Sequence, residues 1–288
     1  MIYGLAAALG WGLSDLWAAV SGRRIGSGRT VLIAQIAAAI FVSAVVLVVR
    51  PDMSGLPEVA PWLLPNAFLG AAAFATLYRG LQLGPIAVVS PVLATYAVVP
   101  VLLSVVLLGE SLGTWQAVGA VVTILGAVLT STDLRALRAG TLVKPAGLPW
   151  AIVSTLLFGV ATYVMGWAAQ RAGVLPSLWF SRVTMTAVFL LAALVVRMRA
   201  GRAAAGGSLG LPALRLAAAV GIVELVGTMS YARGAEVGLI SIVTVASATY
   251  PLVPVFGGIA LLHERPVPNQ LFGVALVVTG LLVLGLAA

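Results

Sequence analysis

The chain has 288 residues, of which 61% are hydrophobic and only 8% charged, with a mean hydropathy of +1.14. Soluble domains carry about 25% charged residues, so a water-soluble globule is excluded and a membrane protein is implied. The net charge of +8 sits in short loops with no polybasic run of interleaved aromatics, which argues against a nucleic-acid partner. No cysteine is present and His263 is the only histidine, which excludes disulfides, thiolate metal sites and a multi-histidine centre. No Walker motif is present, and neither a cofactor nor a metal is expected.

A spanning helix needs about 20 apolar residues. Loops rich in Gly, Pro, Arg and Ser divide the chain into spans expected near 2–20, 30–49, 60–81, 86–108, 113–132, 148–170, 177–197, 213–235, 239–262 and 268–287. The first lacks the basic flank of a signal peptide and reads as a true span. The stretches SGRRIGSGR, DLRALRAGTLVKPAG and MRAGRAAAGGS show no periodicity and read as linkers.

The chain also repeats itself. Residues 79–110 and 233–264 match without a gap at an offset of 154, with 14 of 32 positions identical. The matches include Arg79/Arg233, Thr95/Thr249, Tyr96/Tyr250, Pro100/Pro254 and Glu110/Glu264; beyond the block, Gln116/Gln270, Gly119/Gly273 and Gly126/Gly280 stay in register. Polar residues at fixed spacing mark a duplication. The organisation expected is a first repeat at 1–132, a cytoplasmic linker at 133–147 and a second repeat at 148–288. Five spans per copy is an odd number, so the second copy enters the membrane from the opposite side. The expected fold is all-α, two inverted five-helix repeats around a central cavity.

Several residues are candidates for that cavity. Helices four and nine carry Ser90, Pro91, Thr95, Tyr96 and Pro100, and Thr244, Ser247, Thr249, Tyr250, Pro251 and Pro254. Proline within a span frees a backbone carbonyl, so Pro91, Pro100, Pro251 and Pro254 read as hinges, or as simple packing kinks. Trp17, Tyr78, Tyr163, Trp167 and Tyr231 add ring faces on the other helices. They would suit an amino-acid side chain or a flat cation, or else be buried tyrosines bonded to a neighbouring carbonyl.

Three ionisable groups fall inside expected spans: Asp15, Arg182 and Glu224. A charge at the bilayer centre marks a site or a pair. Glu224 reads either as a proton-coupling carboxylate or as a partner of Arg182, which in turn could receive a substrate carboxylate. Asp15, near the end of the first expected span, reads as a latch to Arg79. The glycines of helices five and ten read as scaffold.

Trp11-Gly12 and Phe158-Gly159, Arg79-Gly80 and Arg233-Gly234, the Leu-Leu-Gly-Glu and Leu-Leu-His-Glu ends at Glu110 and Glu264, and the Gly-rich fifth and tenth helices together resemble the drug/metabolite transporter superfamily. Within it the pattern is most similar to the ten-helix EamA-type exporters, and to the aromatic and neutral amino-acid exporters among them. The resemblance implies a secondary-active exporter in a bacterial-type inner membrane, and a monomer is expected because two five-helix halves already complete the pseudo-symmetric unit. Such a protein exports small metabolites by alternating access, with membrane lipid and a small-molecule substrate as its partners. A polyspecific cationic drug-efflux pump of the same fold is the alternative. An enzyme is not expected, because catalytic His, Cys or meeting carboxylates are lacking.

Twelve basic residues flank the loops after the odd-numbered spans and three the opposite loops. That bias places both termini outside the cytoplasm, whereas the resemblance implies cytoplasmic termini. A reporter enzyme fused after Ala288 should therefore be active only outside the cytoplasm; activity inside would restore the orientation implied by the resemblance.

Overall fold

A computed structural model describes residues 1–83, 92–93, 95–132, 134, 147–200, 210–253 and 267–286. These hold ten α-helices: α1 (Ile2–Ile25), α2 (Ser27–Val49), α3 (Leu56–Leu83), α4 (Val98–Leu108), α5 (Thr114–Ser131), α6 (Leu148–Ala172), α7 (Val174–Ala200), α8 (Leu211–Val237), α9 (Ile240–Ser247) and α10 (Pro268–Leu286). By length and composition five stretches suffice to cross a membrane: 28–49, 56–77, 148–172, 174–195 and 211–237. The shorter apolar helices cover 95–108, 114–130 and 268–284.

Two features depart from the expected boundaries. The segment SGRRIGSGR is not a loop, because α1 runs to Ile25 and only Gly26 separates it from α2. Gly26 has φ +86, a left-handed conformation open to glycine without steric cost. Its counterpart at an offset of 147, Gly173 with φ +81, alone separates α6 from α7. Second, helices four and nine are not continuous. Thr95–Ala97 form a 3-10 turn before α4. At the matched place beyond α9, Thr249, Tyr250, Leu252 and Val253 donate backbone bonds to the carbonyls three residues back. The duplication thus preserved a break as well as a sequence.

Pairing of the helices follows the repeat. α1 packs on α8 and α6 on α3; α2 packs on α8 and α7 on α3; α1 meets α9 and α6 meets α4. In each case, exchanging a helix with its copy turns one contact into the other. α2 with α7, α4 with α9 and α5 with α10 are the self-exchanging pairs, as a pseudo-two-fold axis requires. The halves are interlocked, since the first helix of one lies on the third of the other.

Glycines set these crossings. Gly119 of α5 faces Gly280 of α10, and Gly126 faces Gly273, so the two seven-residue glycine spacings interlock across the axis as close-approach points. A Cβ on Gly12 would meet Val253, and one on its copy Gly159 would meet Val99, the copy of Val253. The N-termini of α5 and α10 are capped alike. Gly113 N–H donates to Gln116 Oε1 at 2.9 Å, and Val267 N–H to Gln270 Oε1 at 3.1 Å. Outside the spans, Asp52 accepts the Ser54 N–H and hydroxyl, which hold its carboxyl below the usual carboxylate range.

The tightest crossing tests this reading. A Cβ on Gly221 of α8 would lie 1.9 Å from the Ala34 carbonyl oxygen of α2, whereas one on Gly28 meets nothing within 4 Å. Gly221→Ala should lose about 1–3 kcal/mol through overpacking, read as a lowered melting temperature in detergent. Gly28→Ala should melt at or slightly above the parent.

Candidate functional site

The site is built on α1 and α8, which cross where Gly10 meets Gly227. Glu224, Thr228 and Tyr231 lie four and three residues apart on one face of α8, opposite Trp11 of α1. Trp11 Nε1–H donates to Thr228 Oγ1 at 3.1 Å, and the Thr228 hydroxyl donates to Glu224 Oε1 at 2.8 Å. Glu224 Oε2 then accepts Arg182 Nη2 of α7 at 2.8 Å, and Arg182 Nη1 donates to Gln35 Oε1 of α2 at 2.8 Å. Arg182 is 4% exposed. An uncompensated charge at that depth would be costly, so the bonds to Glu224 and Gln35 are what allow the arginine to be there. Gln35 is the repeat counterpart of Arg182, so this bond joins the two copies of one position.

An aromatic layer lies against the polar chain. The Trp11 ring is 5.7 Å from Tyr231 and 6.3 Å from Tyr96, and Tyr96 is 6.2 Å from its own copy, Tyr250. The Ser247 hydroxyl donates to the Thr244 carbonyl at 2.8 Å, which leaves its oxygen to accept from Tyr96 OH at 2.8 Å. Tyr231 OH pairs with Thr244 Oγ1 at 3.0 Å. Thr95 and Thr155 hydroxyls both donate to the Val92 carbonyl, at 2.6 and 3.1 Å, beside the break.

Asp15 is deeper than the sequence reading placed it. With α1 extending to Ile25, it lies about 20 Å from one helix end and about 15 Å from the other at 1.5 Å per residue. Its side chain is exposed and forms no ion pair among the described residues, so the expected latch to Arg79 is absent from this structure. Instead it lies within electrostatic reach of Glu224 and Tyr250. Asp15 therefore lies beside the Arg182–Glu224 pair without being bonded to it.

Not all the expected residues join this cluster. Trp17 is half-buried on α1 outside it. Tyr163 is buried beside Tyr231 and Trp11. Trp167 packs against Trp62 at 6.0 Å and under the Arg171 guanidinium at 4.4 Å, where Arg171 pairs with Glu58 at 3.3 Å. Arg171 also lines a cleft of about 650 Å³ with Asp52, Arg233 and Glu236. Pro100 is the third residue of α4, where its missing N–H is among those a helix start leaves unpaired, so it begins the helix after the break and does not kink it. Pro251 sits in the matching turn after α9. Ser90, Pro91, Pro254 and the side chain of Tyr78 lie outside the described residues.

Sequence reasoning did not assign Trp11, Thr228 or Gln35 to the site. The aromatic-Gly pair of helices one and six, and the four-residue step from Glu224 to Thr228, were the available signals. Comparison with the other half explains the asymmetry. Phe158, the copy of Trp11, packs edge-on against Phe74, the copy of Thr228, at 5.0 Å, and Gly70 stands where Glu224 would. Where α1 meets α8 these matched positions are polar, and where α6 meets α3 they are apolar.

Charge balance at the pair is testable. Arg182→Met alone should cost about 3–5 kcal/mol by stranding Glu224, while Arg182→Met with Glu224→Met should recover most of that loss. Thermal melting of the purified variants checks it; a double variant no more stable than the single one would show that the pair is not the unit.

The EamA-like transporter family profile matches residues 1–132 and 145–286. Of the curated proteins compared with it, none matches this chain. Twenty-nine chains of solved structures match. One, described only as the crystal structure of a protein, aligns with 100% of this chain and 97% of its own at a TM-score of 0.78 and 18% identity, a likeness of fold alone. With two matched segments that together cover nearly the whole ten-helix chain, this multi-pass membrane protein belongs to the EamA-like transporter family, a family of transporters and not of enzymes.

Proposed function

We propose that the chain exports small amphipathic metabolites, aromatic and neutral amino acids first among them, by alternating access between its two repeats. The observation that carries this reading is the layer of Trp11, Tyr231, Tyr96 and Tyr250 rings beside Asp15 and the Arg182–Glu224 pair. Ring faces suit an apolar or aromatic side chain, and the unpaired Asp15 carboxyl offers a partner for its ammonium group. Arg182 is already committed to Glu224 and Gln35, which argues against its receiving a substrate carboxylate in this state. Glu224 correspondingly fits a structural partner better than a free proton carrier. The breaks before α4 and after α9, with Pro100 and Pro251 beside them, are the proposed hinges. The repeats are assigned to 1–132 and 148–288, the linker to 133–147, both termini to the outer side of an inner membrane, and the working unit to a monomer.

Asp15 also supports a second reading, polyspecific efflux of organic cations, because its carboxylate has no ion partner among the described residues. Counterflow in proteoliposomes separates the two. Labelled tryptophan or leucine should exchange against the unlabelled amino acid and resist competition by a lipophilic cation, and Asp15→Asn should abolish exchange. Exchange of the cation alone would replace the amino-acid reading, and exchange of neither would end both. Repeating the assay with and without a pH gradient for Glu224→Gln tests coupling: a variant that keeps pH-driven accumulation removes Glu224 as the proton carrier.

A further inference from the structure

We propose that Glu110 latches the two broken helices together at the amino-terminal end of the bundle and thereby positions the hydroxyls that hold the tyrosines. The inference rests on the transport reading above. Glu110 follows α4 directly after Gly109, whose φ of +67 turns the chain out of the helix. Its carboxylate reaches α9. Oε1 accepts the Ile240 N–H at 2.7 Å, and Oε2 accepts the Ser241 N–H at 3.0 Å and the Ser241 hydroxyl at 2.6 Å.

Those amides belong to the first turn of α9, where no intrahelical acceptor exists, and they sit at the positive end of the helix dipole. Bonds to a carboxylate are the stronger class. A single side chain therefore ties the end of α4 to the beginning of α9, the two helices whose opposite ends adjoin the matched breaks. The amino terminus lies at the same end, since Gly4 abuts Val243 and Tyr3 abuts Gly234. Opening this end by separating α4 from α9 requires all three bonds to break.

The latch also reaches the site. Thr244 and Ser247 follow Ile240 by four and seven residues on an eight-residue helix, so capping its first turn fixes where both hydroxyls point. Thr244 holds Tyr231 and Ser247 holds Tyr96. Glu110 is thus a positioning residue that acts through α9. Its repeat counterpart Glu264 lies outside the described residues and is no part of the proposal.

The absence of native cysteine permits a direct test. Thr244→Cys places the sole thiol one turn behind the latch, at a position that is fully buried. Its reaction with a membrane-impermeant maleimide is followed without substrate in the parent, Glu110→Gln, Ser241→Ala and Gly221→Ala backgrounds. Glu110→Gln should raise the rate at least about tenfold, and Ser241→Ala about threefold because both amide bonds survive. Gly221→Ala destabilises a different crossing and should leave the rate at the parental value. An unchanged rate in Glu110→Gln overturns the proposal, as does an equal rise in Gly221→Ala. Should Glu110→Gln not fold, Ser241→Ala decides, and a parental rate there is equally fatal. No transport is measured, so failure of amino-acid counterflow would remove the transport reading and leave this result interpretable.

Discussion

Hydrocarbon offers no hydrogen bonds, so each polar group carried into the membrane must find its partner inside the protein. That constraint organises most of what is seen here. The carbonyl of Val92, beside a broken helix, takes two threonine hydroxyls. The first turn of α9 takes a carboxylate, and the starts of α5 and α10 take repeat-matched glutamines. Arg182 takes a glutamate and a glutamine. Among the described residues, two buried side-chain atoms, Asn66 Oδ1 and Ser177 Oγ, have no partner.

Breaking a spanning helix is costly under that constraint, and this chain does it twice at matched positions. The cost is met locally by 3-10 bonds and hydroxyls, and across helices by glycine. Gly12 lets α1 approach the chain beyond the α9 break, and Gly159 lets α6 approach α4. Backbone segments that would otherwise face lipid are covered by another helix at close range. The breaks are therefore supported by the opposite half, which ties hinge geometry to the interlocking of the repeats.

Duplication yields two equivalent half-sites, and substitution has since made them different. In one, Trp11, Thr228, Glu224 and Arg182 form a continuous polar chain; in the other, Phe158, Phe74 and Phe189 fill the corresponding space edge to face. A symmetric pair of charged sites would place two ion pairs in the bilayer, each with its own desolvation penalty. Confining charge to one half halves that penalty and gives the cluster a polarity that a pseudo-symmetric frame lacks.

The sequence by itself determined the membrane class, the duplication and the glycine scaffold, because hydropathy, the 154-residue register and the Gly119/Gly126 and Gly273/Gly280 spacings are local or periodic properties of the chain. It also singled out Tyr96, Tyr231, Ser247, Arg182 and Glu224 as candidates, because polar groups in apolar spans announce themselves. Only the tertiary structure decided their partners. Trp11 and Thr228 are 217 residues apart and Glu110 and Ser241 are 131 apart, and no local pattern encodes a contact across interlocked repeats. The depth of Asp15 was equally hidden, since it depended on whether Gly26 ended a loop or separated two helices, a matter settled by one backbone angle.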